Sequence, residues 1–247
     1  MTRPPLPDSI PEHPRTLAMA SAQRAAALEE LASLILGINQ SSPTRVAIDG
    51  RTASGKTTLA DELSKILSVK GRNVIRTSID GFHRPKIERY ARGRFSAEGY
   101  YYDARDLQAI NTLLLSPLGP DGDRRYRTAS FDLDKDEPIE QRPHLAANNA
   151  ILLVDGTFLQ RPELRDGWDL TIFVETSEQV SEQRGIHRDA SHLGGLEAAR
   201  QLYAMRYRPA FNIYDGLCQP SSLADAIFNN DNFDQPTLKL RDGQLPH

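Results

Sequence analysis

The chain has 247 residues, a formal net charge of −3 and an apolar share of 39%. That length fits one full domain with a small appendage, and that composition can bury a core; the charge balance gives no global pull toward nucleic acid or an anionic membrane. The one cysteine, Cys218, excludes an intramolecular disulfide framework and a Cys-rich zinc site, and no run approaches the ~18 apolar residues of a membrane span.

Residues 1–14 carry five prolines and little to bury. They read as part of a flexible tail over 1–15, not as a signal peptide. Residues 16–40 turn helical, with Leu28, Leu31, Ile35 and Ile38 on one face. "VAID" is an apolar run typical of a buried parallel strand. After a Gly-rich turn, Leu59, Leu63, Ile66 and Leu67 mark an amphipathic helix that Gly71 should stop. "NVIRTSID" predicts a second strand ending at Asp80. The stretch 81–102 is irregular and rich in Arg, Gly and Tyr. Asp103 is the expected N-cap of a helix through Leu107, Ile110 and Leu114. "YRTASFDL", "AILLVD", "DLTIFVE" and "ADAIFNND" read as strands, and 177–189 and 196–207 as helices. Strands alternating with helices predict an α/β fold, a doubly wound and mainly parallel sheet of about five strands.

Gly50-Arg-Thr-Ala-Ser-Gly-Lys-Thr57 fits the phosphate-loop pattern G-x-x-x-x-G-K-[ST], with a strand before it and a helix after it. Gly50, Thr52, Ala53, Ser54, Gly55, Lys56, Thr57 and Thr58 form the expected nucleotide-binding set. Glycines let the backbone curl around an anion, and the curled amides and the helix N-terminus favour negative charge. Lys56 can reach the β- and γ-phosphates, and the Thr57 hydroxyl can meet Mg2+. ATP and Mg2+ are the expected cofactors. The loop alone does not separate kinases, GTPases, motor ATPases and mere binders. No Asn-Lys-x-Asp stretch follows a late strand, which disfavours a GTPase.

In a doubly wound sheet, ligands sit beyond the carboxyl ends of the strands. Asp80 at such an end could accept the proton of an attacking hydroxyl. The alternatives are a capping residue or a member of the Mg2+ shell. Asp155, closing "AILLVD", has the form of a metal-holding strand-end carboxylate, against a plain Asp-Gly turn.

The chain here resembles the uridine kinase and phosphoribulokinase family of P-loop kinases, which includes bacterial pantothenate kinases. The resemblance runs from about residue 46 to 231 and rests on "DGRTASGKTT", "IDGFHRP", "YYYDARDL", "LLVDGTF", "LRDGWDLTIFVET", "HRDA", and "MRYRPAFNIY" leading into "ADAIFNND". It implies a P-loop NTPase fold with a small helical lid, a kinase domain over 41–240, and ATP-dependent transfer to a hydroxyl of a small-molecule acceptor in the cytoplasm. Asp80 matches the family's catalytic carboxylate. Arg184 and Arg188 lie on the helix the family uses as a lid over the ATP phosphates, with Arg188 the better match.

Two positions that read the base in uridine kinases differ. Asp136 stands where that family carries a histidine, and Leu193 and Gly195 stand where it carries paired arginines. The strand-end signature reads Asp-Gly-Phe-His rather than Asp-Asp-Phe-Tyr. Phe82, His83, Arg84, Tyr101 and Asp136 are the expected acceptor contacts, against a reading of the tyrosines as packing and the arginines as solvated. Arg124, Arg125 and Arg127 suggest an anionic acceptor. His187 and His192 are wrongly spaced for a zinc pair. A nucleic-acid reading has no recognisable module behind it. A kinase for pantothenate or a sugar phosphate, and a nucleotide-gated binding protein with slow hydrolysis, remain the rival readings, and the sequence leaves homo-oligomers open.

Overall fold

The computed structural model describes residues 21–38 and 41–241. The expected tail lies outside the described residues, as do the first residues of the expected N-terminal helix. Helix α1 (Ala22–Gly37) begins at Ser21, whose hydroxyl accepts from Arg24 N at 3.2 Å. Leu28, Leu31, Ile35 and Ile38 are all buried, as their spacing predicts. Strand β1 (Thr44–Gly50) is buried along its whole length and runs through the Gly-rich turn into α2 (Lys56–Val69). Gly71, at φ +82°, ends that helix.

Strands β2 (Val74–Ser78), β3 (Ile151–Asp155), β4 (Leu170–Glu175) and β5 (Ala226–Asn229) join β1 in one parallel sheet, ordered β5-β4-β1-β3-β2. A sixth strand, β6 (Thr237–Leu240), pairs antiparallel with β5 at the edge. The sequence reading missed it: its four residues alternate between exposed and half-buried, too short a run for period two to stand out. The second strand stops at Ser78, short of the expected Asp80. Residues Ile79–Phe82 form a tight turn, and Ser78 Oγ accepts from Asp80 N at 3.3 Å.

Alternation along the strands sends side chains to two faces. Val46, Ile48, Leu153, Ile172 and Phe228 pack on α1 and α2 through Leu31, Ile35, Leu59 and Leu63. Helix α1 thus shares one core with the phosphate-loop strand and helix. Ala47, Leu152 and Val154 face the other way, onto Phe82, Leu114 and Trp168. Farther along that second face, Phe173 packs on Phe211 and Tyr214.

The segment between β2 and β3 departs from the sequence reading in two places. Asp106, not Asp103, caps the helix at Leu107–Ile110 by accepting from Ala109 N at 2.9 Å. Asp103 instead pairs with Arg92 at 2.7 Å. "YRTASFDL" supplies two short strand pieces, Arg125–Tyr126 against His144–Leu145 and Phe131–Asp132 against Glu137–Pro138. After β4 come α3 (Glu178–Leu193), α4 (Leu196–Leu202), a wide turn at Tyr203–Tyr207, and α5 (Arg208–Cys218). The helical run therefore continues past the expected end at 207. Pro209 sits in the first turn of α5, directly after the wide turn.

Arg24 ties α1 to both ends of the site. It is fully buried, pairs with Glu62 on α2 at 2.7 Å, and donates to Asn230 Oδ1 at 3.1 Å and Phe233 O at 2.9 Å. Its guanidinium also lies 3.9 Å from the Phe233 ring centroid. Arg24→Met keeps the stem but leaves those acceptors unmet, so urea unfolding should show a loss of about 2–4 kcal/mol. Glu62→Gln, at a half-buried position, should cost clearly less in the same measurement.

Candidate active site

The phosphate loop joins β1 to α2. Gly50, Ala53 and Gly55 take φ of +149°, +61° and +101°, which curls the loop; within it Ser54 N donates to Arg51 O at 3.2 Å. A Cβ on Gly50 would come within 2.5 Å of Val174 O, and one on Gly55 within 2.3 Å of Asn230 Nδ2. Both glycines are therefore required by space as well as by φ. The first amides of α2 have no partner inside the helix, which suits a bound phosphate. Ser54 Oγ is buried without a hydrogen-bond partner. Thr52 and Ala53 are half-buried on the same loop, and Thr58 is exposed one residue beyond Thr57.

Behind the loop stands a residue that the sequence reading passed over. Asp49 is fully buried, accepts from Gly50 N at 2.7 Å, and receives the Tyr214 hydroxyl and Gln160 Nε2. Burial raises its pKa, while the Tyr214 hydrogen bond and the Lys56 charge oppose the rise. The available signal was a carboxylate inside an apolar strand, directly before the first loop glycine.

Lys56 is buried at the mouth of the loop and donates to Arg51 O. Burial lowers its pKa to about 8, against the pull of Asp49, Asp155 and Asp80 and with the push of Arg188. All four groups thus lie within electrostatic reach of its ammonium. Thr57 Oγ1 donates to Asp155 Oδ2 at 2.6 Å, which brings the two expected metal ligands together. Asp155 Oδ1 lies 2.7 Å from Arg76 Nη1, but the angle is not that of a hydrogen bond, so this buried oxygen keeps a free lone pair. A hydroxyl and a carboxylate with unused acceptor capacity beside a phosphate hollow fit Mg2+, which takes few protein ligands and completes its shell with phosphate and water.

Asp80 lies in the turn after β2 with its side chain 63% exposed. Its Oδ1 accepts from Arg105 Nη2 at 2.6 Å. Arg105 is a second residue that the sequence reading left without a role; its motif, "YYYDARDL", offered no spacing to link it with Asp80. Helix α3 carries both candidate lid arginines, and they differ. Arg184 donates to Asn230 O and Asp231 O, both at 2.9 Å, and so ties the helix to the end of β5. Arg188 is exposed, pairs with Asp189 at 2.6 Å, and is the one felt at Lys56. Tyr203 steadies Asp189 through a 2.8 Å hydrogen bond.

The sequence profile described as "Phosphoribulokinase / Uridine kinase family" matches residues 46–232. The chain belongs to this family. Uridine-cytidine kinase B of Dictyostelium discoideum is 29% identical over 173 residues, 70% of this chain and 69% of that protein. A pantothenate kinase of Shewanella sediminis is 27% identical over 215 residues, 80% of this chain but 64% of that protein's length. A solved structure described as a possible uridine kinase from Bacillus stearothermophilus superposes with a TM-score of 0.65 at 23% identity, covering 82% of this chain and 97% of that one. That last likeness establishes the shared kinase fold.

Within the family frame, the expected acceptor residues divide. Phe82 is fully buried against the second core, and Tyr101, 4% exposed, packs on Phe158 and Tyr214 with its hydroxyl at Cys218 Sγ. Both are packing residues, because their rings fill cores under the site and present no open surface. Arg84 donates to Arg105 O at 3.2 Å and lies 3.7 Å from Glu88. Asp136 accepts from Lys86 N at 2.9 Å and Arg89 Nη2 at 2.6 Å, so its oxygens hold the chain at 86–89. Of the arginines expected to attract an anion, Arg124 donates to Ala146 O and Arg127 to Gln141 O, and Arg125 is exposed. These three serve the loop or the solvent.

His83 is buried beside Asp80. Nδ1 lies 2.9 Å from Arg105 Nη1 and 3.4 Å from Ala104 O; the shorter contact is to an arginine, which has no lone pair to offer, so Nδ1 accepts there and the proton sits on Nε2, 3.8 Å from Asp80 Oδ1. Burial first, then the charges of Arg105, Arg89 and Arg206, hold its pKa far below the ordinary 6.5. Below pH 6.5 the unfolded chain therefore binds a proton that the folded chain refuses. This contribution to stability is complete above that pH and lost as pH falls, by at most about 1.4 kcal/mol per pH unit. Urea midpoints at about pH 7.5 and about pH 5 should fall further in the native chain than in His83→Gln. Equal drops would show that His83 charges freely in the fold.

Proposed function

We propose that this chain is an ATP- and Mg2+-dependent kinase that moves the γ-phosphoryl group to a hydroxyl of a small metabolite. One observation carries the reading: an exposed carboxylate, Asp80, stands in the turn after β2, beside the strand that ends in Asp155, and is held by a buried arginine. A mere binder has no need of a carboxylate held there. In the proposed reaction the acceptor hydroxyl gives its proton to Asp80, its oxygen bonds to the γ-phosphorus, and the bond to the bridging oxygen of ADP breaks. Lys56 and Arg188 offset charge on the transferring oxygens. Thr57 and Asp155 would hold Mg2+, which neutralises phosphate charge when bound. Asp49 and Asn230 keep the loop amides aimed.

Lys56→Ala should abolish phosphoryl transfer in a protein that still melts cooperatively; normal turnover would remove the kinase reading. Asp80→Asn keeps the shape without the base, so kcat should drop by about 10²–10⁴ with little change in ATP affinity. Asp155→Asn should instead raise the Mg2+ concentration needed. If both variants move only the Mg2+ dependence, Asp80 belongs to the metal shell.

Uridine is not the proposed optimum, although relatives named for uridine and cytidine support the reaction type. Asp136 is spent on Lys86 and Arg89, and Leu193 and Gly195 offer no side-chain donor. Two unmet base acceptors at about 1–3 kcal/mol each lower kcat/KM by about 10²-fold or more. In competition at equal concentration, uridine should lose to the true acceptor. A uridine kcat/KM of about 10⁴ M⁻¹s⁻¹ or above would mean that other residues read the base.

A further inference from the structure

Three arginines from separate parts of the chain meet beside Asp80. Arg89, Arg105 and Arg206 are only 8%, 7% and 5% exposed. Two tyrosine rings fix how close they are. The Tyr90 ring has Arg89 Cζ at 5.4 Å and Arg206 Cζ at 4.9 Å from its centroid. The Tyr100 ring has Arg105 Cζ at 5.8 Å and Arg206 Cζ at 4.9 Å. Arg206 therefore sits between the other two.

Their partners do not balance them. Arg89 has Asp136 at 2.6 Å, and Arg105 has Asp80 at 2.6 Å. Arg206 donates to the carbonyl of Arg94, a neutral group. His83, in contact with Arg105, accepts from it and adds no negative charge. Among the described residues the cluster keeps one cation in excess of its contacting carboxylates. Among them, too, the buried Nε atoms of Arg89 and Arg105 find no hydrogen-bond partner. Buried excess charge and orphan donors are both costly, and an anion relieves both at once.

We propose that Arg89, Arg105 and Arg206 form the subsite for an acidic group of the acceptor, a carboxylate or a phosphate, and that the acceptor is a small hydroxylated acid. The inference rests on the kinase reading for the identity of this ligand as the acceptor. The same guanidinium that would take the acid, Arg105, already holds the base at Asp80, so acid and reacting hydroxyl are brought to one place. Arginine suits the task because its fork matches both carboxylate and phosphate oxygens.

The test compares matched probes: glycerate, glycerol phosphate and glycerol, then gluconate, glucose phosphate and glucose. Binding is read by calorimetry on the full chain saturated with a non-hydrolysable ATP analogue and Mg2+, and turnover by ADP release with ATP. The acids of at least one set should bind and be phosphorylated about 10- to 100-fold better than the neutral parent, the usual worth of charge-assisted hydrogen bonds. The better of carboxylate and phosphate names the acid. Arg206→Gln should remove most of that preference while Arg206→Lys retains part of it, with melting curves checking the fold. Neutral parents matching the acids in the native chain, which needs no variant, would overturn the proposal. So would an acid preference unchanged in a folded Arg206→Gln. Arg206-dependent binding of the acids without ADP release would instead remove the kinase reading and leave the anion subsite standing.

Discussion

A loop that must hold out its amides to a phosphate can spend few of them on itself; here Ser54 N bonds Arg51 O at 3.2 Å. That constraint governs this molecule. The backbone from Gly50 to Gly55 visits left-handed conformations at three positions, one of them Ala53, and something else has to hold it there. The surroundings do so from every side. Asp49 takes Gly50 N from behind, and Thr176 Oγ1 and Asn230 Nδ2 both donate to Ser54 O, at 3.2 Å and 2.8 Å. Val174 O closes the space over Gly50. The hollow is preorganised because its supports lie on strands of the sheet or one residue beyond their ends.

Asn230 is where these supports converge. Its side-chain oxygen accepts from Arg24 of α1, its amide nitrogen donates to the loop, and its backbone carbonyl accepts from Arg184 of the lid helix. One residue after β5 thus joins the N-terminal helix, the phosphate loop and the lid. This gives α1 a physical part in the site that its amphipathic pattern did not suggest. Arg24 can be fully buried at modest cost because Glu62, two carbonyl oxygens and the Phe233 ring replace its water.

The charges of three carboxylates bear on Lys56, and their environments set them apart. Asp49 is sealed under the loop and acts on the backbone. Asp155, also buried, takes the Thr57 hydroxyl on one oxygen and faces Arg76 with the other. Asp80 alone is open to solvent, on the end of a turn and gripped by Arg105. Similar side chains acquire different work from burial and partners.

The sequence alone determined the elements that local pattern encodes. The phosphate loop, the flanking strand and helix, the buried strands and the α/β class follow from spacing and apolar runs. Asp80, Asp155 and Lys56 could be named as candidates from the sequence because strand ends and loop motifs have expected places relative to a ligand. What needed the tertiary structure was every relation across distant segments. No periodicity links Arg24 with Asn230, Arg105 with Asp80, or Arg89 with Arg206. Phe82 and Tyr101 looked like acceptor contacts because a motif names residues without saying which way their rings point. Arg124 and Arg127 looked like an anion site for the same reason, and turned out to bond loop carbonyls. Charge in a sequence is a count; whether it meets a carbonyl, a carboxylate or an unfilled site is decided only when the chain packs and water is excluded.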